Sequence, residues 1–235
     1  MDTSRRHALK KDGFAEATAT SVDWISGHRA GVVRWAITAA VVVIVCVAAL
    51  TFGYLRSTAA DSALGAALDT YSATLAVGGE TAGNGVYATA ADRSRAANQQ
   101  FVDVAKQYGW LPQGTRAHYF AGVTYQELGQ NSQAESELKI AAGSWNRNLS
   151  SLAKLALAGL YEQTNRQAKA IDTLTELTAK PSETVPAVAA ELDLANLYAA
   201  SGKQDQARVL WAKVKDADKD GTAGSIAAQK LSAQQ

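Results

Sequence analysis

The sequence predicts an all-α fold in which one N-terminal transmembrane helix precedes a superhelix of about three to four helix pairs, closed by a capping helix. Three observations carry this expectation. WAITAAVVVIVCVAALTFGYL (35–55) runs 21 residues without a charge. A skeleton of Tyr, then Gly or Asn four residues on, then Ala five further and a large apolar residue four beyond that, recurs at 125–138, 161–174 and 198–211. Only three prolines occur in 235 residues, and much of the 47% hydrophobic content is alanine, which suits close-packed helices.

In chain order, residues 1–31 read as a basic cytoplasmic tail and 32–56 as the transmembrane helix. At 1.5 Å per residue, Trp35–Leu55 spans roughly 31 Å, matching a hydrocarbon core of about 30 Å. Trp35 and Tyr54 stand near its ends, where amphipathic aromatics favour the lipid–water interface. Arg5, Arg6, Lys10, Lys11, Arg29 and Arg34 precede the span, whereas Arg56 is soon followed by Asp61 and Asp69. The positive-inside bias therefore keeps the N-terminus in the cytoplasm and exports the rest. A cleaved signal peptide is the other reading, with STAAD (57–61) as a small-residue site, but the apolar stretch exceeds the usual signal length. SVDWISGHRAGVVRW (21–35) reads either as a short interfacial helix or as a flexible tail. Cys46 lies deep in the span and reads as a small apolar residue.

Past the span, the recurring skeleton resembles the tetratricopeptide repeat, a pair of antiparallel helices with small residues at their crossing. The first copy supplies Gly122, Tyr125, Gly129, Ala134, Leu138 and Ala141. The second supplies Ala158, Tyr161, Asn165, Ala170, Leu174 and Leu177. The third supplies Ala195, Tyr198, Gly202, Ala207, Trp211 and Val214. Gly and Asn suit the turn because both tolerate left-handed backbone angles. The copies depart from the pattern in their period of 36–37 residues, in Leu177 and Val214 where a small residue is usual, and near each start, where His118, Lys154 and Glu191 stand in place of a large apolar residue. Three such repeats are expected over 111–221 and a capping helix over 222–235. Residues 57–110 are expected to form a partial first repeat, its helices at 58–77 and 96–109 joined by a flexible loop at 78–85.

Chemistry is sparse. A net charge of +1 shows no nucleic-acid footprint. One cysteine excludes an intramolecular disulfide. DADKDG (216–221) matches the opening of a calcium loop, but Ala227 stands where the bidentate carboxylate belongs, and an acidic turn explains the residues as well. His7, His28 and His118 fall on opposite sides of the expected membrane, and His118 reads as a helix-surface residue. NLS (148–150) is formally a glycosylation sequon. No phosphate-binding loop, nucleophile elbow or zinc spacing occurs, so no catalytic residue, cofactor or metal is expected.

The tetratricopeptide resemblance implies a partner-binding groove lined by the first helix of each repeat. In that register the lining is Arg116, Tyr119, Val123, Gln126 and Glu127, then Leu152, Leu155, Gly159, Glu162 and Gln163, then Ala189, Leu192, Asn196, Ala199 and Ala200. Such a lining suits an apolar helix or an extended peptide held with limited selectivity.

As a whole, the basic tail, the single span and the exported array resemble the YfgM-type ancillary subunits of the bacterial SecYEG translocon. The Val22-x-Trp24-Ile25 cluster, the Ala-rich helix after the span, AANQQFVDVAKQYG (96–109) and KDADKDGTAGSIAAQKL (215–231) carry the resemblance. It implies a non-enzymatic inner-membrane protein with its C-terminal domain in the periplasm. Its partners would be lipid around Trp35–Leu55, SecYEG, unfolded exported proteins, and a periplasmic chaperone or peptidyl-prolyl isomerase that receives them. The alternative reading is a scaffold for another cell-envelope complex.

Overall fold

Continuous helical propensity carries α1 from Arg29 to Ser72 in the computed structural model, which describes residues 29–76 and 85–233. The tail up to residue 28, with His7 and His28, nearly all of the expected 78–85 loop, and residues 234–235 lie outside the described residues. The chain divides into two compact units, Met1–Arg56 and Ser57–Gln235.

In the first unit, α1 is apolar on every side. Val41, Val42, Val43, Ile44 and Val45 are consecutive and all exposed, whereas a helix on a water-soluble core would hide one face. The hydroxyls of Thr38 and Thr51 donate to the carbonyls of Arg34 and Val47, at 2.9 and 2.8 Å. This back-bonding satisfies them without water.

In the second unit, α1 ends at Ser72 and a two-residue parallel bridge follows, β1 (Thr74–Leu75) against β2 (Val86–Tyr87). The bridge closes the base of the loop segment and shortens the helix expected to reach residue 77. Then come α2 (Ala90–Tyr108), α3 (Pro112–Glu127), α4 (Asn131–Ala142), α5 (Arg147–Gln163), α6 (Gln167–Ala179), α7 (Ala187–Ala200), α8 (Gln204–Ala217) and α9 (Thr222–Ser232). Helix α2 begins six residues before its sequence expectation because Thr89 caps it, its Oγ1 accepting from the Asp92 amide at 3.1 Å.

The Tyr–Gly/Asn spacing now has a cause. Gly129, Asn165 and Gly202 adopt φ of 71°, 57° and 76°, and each ends the first helix of a pair. The next amides, of Gln130, Arg166 and Lys203, donate to the carbonyls of Tyr125, Tyr161 and Tyr198 at 2.8, 2.7 and 2.8 Å. The left-handed residues' own amides donate to Gln126, Glu162 and Ala199. This is the Schellman arrangement, which places the left-handed residue four positions after the acceptor. Arg166 and Lys203 then lie over the rings of Tyr161 and Tyr198.

The helices stack as antiparallel pairs, α3/α4, α5/α6 and α7/α8, with α9 covering the end. Ala134, Leu138, Ala141, Ala170, Ala207, Trp211 and Val214 are all buried. A Cβ on Gly122 would lie 2.5 Å from Leu138 Cγ, so only glycine permits that crossing. The polar residues at the departure position each pair with the second helix of their own repeat: His118 with Glu137, Lys154 with Glu176, and Glu191 with Lys213. His118 is therefore half-buried between α3 and α4, not a free surface residue.

The part of α1 beyond Ser57 completes a fourth pair with α2. Ala60, Leu64 and Ala67 are buried with Phe101, Val104, Ala117 and Ala121. Phe101 stacks on Phe120 at 5.2 Å, and Tyr71 meets Phe101 edge-on. Tyr71 Oη and Ser94 Oγ donate to the two oxygens of Glu127 at 2.6 and 2.5 Å. Burial, and then that carboxylate, push the Tyr71 phenol up to about 12.

Glu135 ties α4 to α5 and the following turn. It accepts from Lys139, Arg166 and Tyr161, and the hydrogen bonds from Lys139 and then Arg166 lower its carboxyl to about 2. Because the folded value lies below the unfolded one, this stabilisation is present above the ordinary carboxylate range and is lost as pH falls toward 2. Glu135→Gln should cost about 1–2 kcal/mol at neutral pH, allowing for the solvent-exposed ends of its partners. Urea unfolding should show the gap to wild type closing between about pH 5 and pH 2.

Candidate functional site

The first helices α3, α5 and α7 contribute one face of the array. On α5, Leu155, Gly159 and Glu162 recur at four- and three-residue steps and so share one side. On α7, Asp193 and Asn196 do the same. Together with Ala158 and Leu174 they enclose a concavity of about 320 Å³. Gly159 shapes it by absence, since a Cβ there would meet nothing within 4 Å.

Electrostatics distinguish this concavity from its surroundings. Among the described residues, neither Glu162 nor Asp193 joins an ion pair or a side-chain hydrogen bond. The Asp193 carboxyl is raised above its ordinary value, first by burial and second by the nearby Glu162 charge. The residue as a whole is exposed, but its carboxyl lines the concavity, where protein atoms replace part of its water. Asn196 Oδ1 accepts from Trp211 Nε1 at 3.2 Å, which leaves its amide NH2 as the group available to a ligand.

The expected lining is only partly brought together. Leu155, Gly159, Glu162 and Asn196 meet in the concavity. Gln126 Nε2 donates to Gln163 Oε1 at 2.9 Å, joining α3 to α5 along the same face. Tyr119, Val123 and Leu152 are half-buried against the α4–α7 core, and Arg116 is exposed outside the concavity. Glu127 is committed to Tyr71 and Ser94. Leu192 is a correction: it is 8% exposed and packs with Ala195, Trp211, Val214 and Ala227. Helix α9 covers the position in the last pair that stays open in the pair before. Asp193, its neighbour, is a lining residue that the register missed, as are Ala158 and Leu174.

Two other features are structural. A gap of about 540 Å³ among Asn146, Arg147, Asn148, Pro181, Ser182 and Glu183 separates two turns already tied together, Thr184 Oγ1 donating to the Asn148 carbonyl and Asn148 Nδ2 to Glu183. In the acidic turn, Asp218 Oδ2 accepts from the Gly224 amide at 3.1 Å and so serves the start of α9. Among the described residues, no three His, Cys, Asp or Glu side chains converge as a metal site would require.

This arrangement of paired helices, Schellman turns and small crossing residues gives the chain a tetratricopeptide-like repeat fold. The chain is similar to a crystal structure of the nearly identical TPR-like repeats of a Podosopora anserina protein assigned as a kinesin light chain. The TM-score is 0.51 at 17% identity, over 60% of this chain and 76% of that one. At that identity the likeness concerns the fold alone. No protein-family model matches the chain, and no curated protein sequence does. Helix α1, long and apolar enough to cross a membrane, precedes the repeats.

Proposed function

We propose that this chain is a non-enzymatic, single-pass inner-membrane protein whose exported repeat domain captures unfolded segments of secreted proteins beside the Sec translocon and passes them to periplasmic chaperones. The concavity between α5 and α7 carries the proposal: an apolar floor, polar groups at the rim, and chemistry suited to holding a side chain rather than transforming it. The apolar surface of α1 supports the anchor, because burying that many valine and leucine side chains in hydrocarbon is favourable at about 25 cal/mol per Å². The excess of basic residues before the span supports export of the repeats. The YfgM-type resemblance supports the translocon as the site of action, and tethering there raises the effective concentration of emerging chains.

Photo-crosslinking residues at positions 155 and 119, in the full-length protein in native membranes, test this reading. Translocon subunits, chaperones and assorted exported chains are the expected adducts. One dominant envelope-complex protein would replace the proposal with a dedicated scaffold. A probe at position 192 is the control, since a buried site should yield only adducts within the chain. Gly159→Leu should fill the concavity, leave the thermal unfolding transition within a few degrees of wild type, and remove most adducts from position 155. Undiminished adducts would place the contact elsewhere.

A further inference from the structure

The repeat register implies limited selectivity at this face, but the structure gives it a charge. We infer that the α5–α7 concavity selects segments presenting a lysine or arginine beside apolar residues, with the cation between Glu162 and Asp193 and its methylene stem against Leu155 and Leu174. The inference rests on the reading of this face as a peptide-binding surface and adds the chemistry of what it takes.

Three observations carry it. Glu162 and Asp193 reach one concavity from two different helices, and their mutual repulsion is unrelieved by any cation of the described residues. Nearby basic side chains are engaged elsewhere: Lys154 with Glu176, Lys213 with Glu191, and Arg166 with Glu135. The floor between the carboxylates is apolar and, at about 320 Å³, roomy enough for a long side chain. Lysine and arginine lay an aliphatic stem on apolar surface while keeping the charged head among polar groups. A basic residue therefore satisfies floor and rim together. An acidic residue would add a third like charge, and a purely apolar one would leave the two carboxylates repelling each other at its edge. A divalent cation would find two carboxylates, too few ligands for a dedicated protein site.

The test uses the full-length protein in detergent micelles and three labelled extended peptides, identical except for one central residue: lysine, norleucine or glutamate. Fluorescence anisotropy should show the lysine peptide binding about ten-fold or more tightly than the norleucine one at low salt, with glutamate weakest. Raising salt from about 50 to 500 mM should shrink that preference. Asp193→Asn combined with Glu162→Gln should erase it, bringing the lysine and norleucine peptides to the same affinity on that variant; both residues are exposed, so melting behaviour should stay near wild type. Equal affinity for lysine and norleucine, or a lysine preference that survives the double substitution, overturns the inference while leaving peptide capture standing. Absence of binding by all three peptides overturns both.

Discussion

Trp211→Ala should remove about 3–5 kcal/mol from the stability of the repeat domain, enough to unfold a marginal array at physiological temperature. Trp211 is 1% exposed and is the largest of the fully buried side chains. It joins α7, α8 and α9 through Leu192, Val214 and Ala227. Truncation leaves a void that small neighbours such as Ala195 and Ala207 cannot collapse to fill, and it orphans the Asn196 Oδ1 acceptor. Because each repeat contacts only its neighbours, the loss should be local at first. Hydrogen exchange should show α9 and α8 losing protection before α3 to α5. Uniform loss across all pairs would mean that the array unfolds as one cooperative block.

Gly114→Ala should cost about 2–3 kcal/mol through overpacking alone, despite adding one methyl group. Its Cβ would lie 2.1 Å from the Tyr108 carbonyl oxygen and 2.6 Å from Gly109 Cα. Those are backbone atoms of the α2–α3 turn, and the same carbonyl accepts the Leu111 amide at 2.8 Å, so neither can yield cheaply. Gly159→Ala is the counterpart: with open space around its Cβ, it should stabilise α5 by about 0.5–1 kcal/mol. Thermal or denaturant unfolding of the two variants should therefore shift in opposite directions. A similar, small effect from both would mean that the α2–α3 crossing relaxes freely.

The spacing of tyrosine to glycine or asparagine made the repeats legible in one dimension, because a Schellman turn is a local device whose geometry is written in adjacent residues. The alanines at positions 134, 170 and 207 were legible for a related reason: a close crossing tolerates few side chains, so the same small residue returns at each period. The uncharged run at 35–55 was equally visible, since helix length and hydrocarbon thickness are matched by residue count alone.

What sequence left open concerns contacts between elements distant along the chain. Leu155 and Leu192 occupy the same register, yet one lines the concavity and the other is core, because α9 covers the second. Asp193 was overlooked since its partner across the gap, Glu162, lies 31 positions earlier and only the stacking of α5 beside α7 brings the two charges together. The polar residues at 118, 154 and 191 looked like departures from the pattern until their partners at 137, 176 and 213 came into view. Periodicity and turn chemistry act over one or two helical turns and can be read from neighbours in sequence. Burial and electrostatics depend on which helix packs opposite, and that is decided only when the chain has folded.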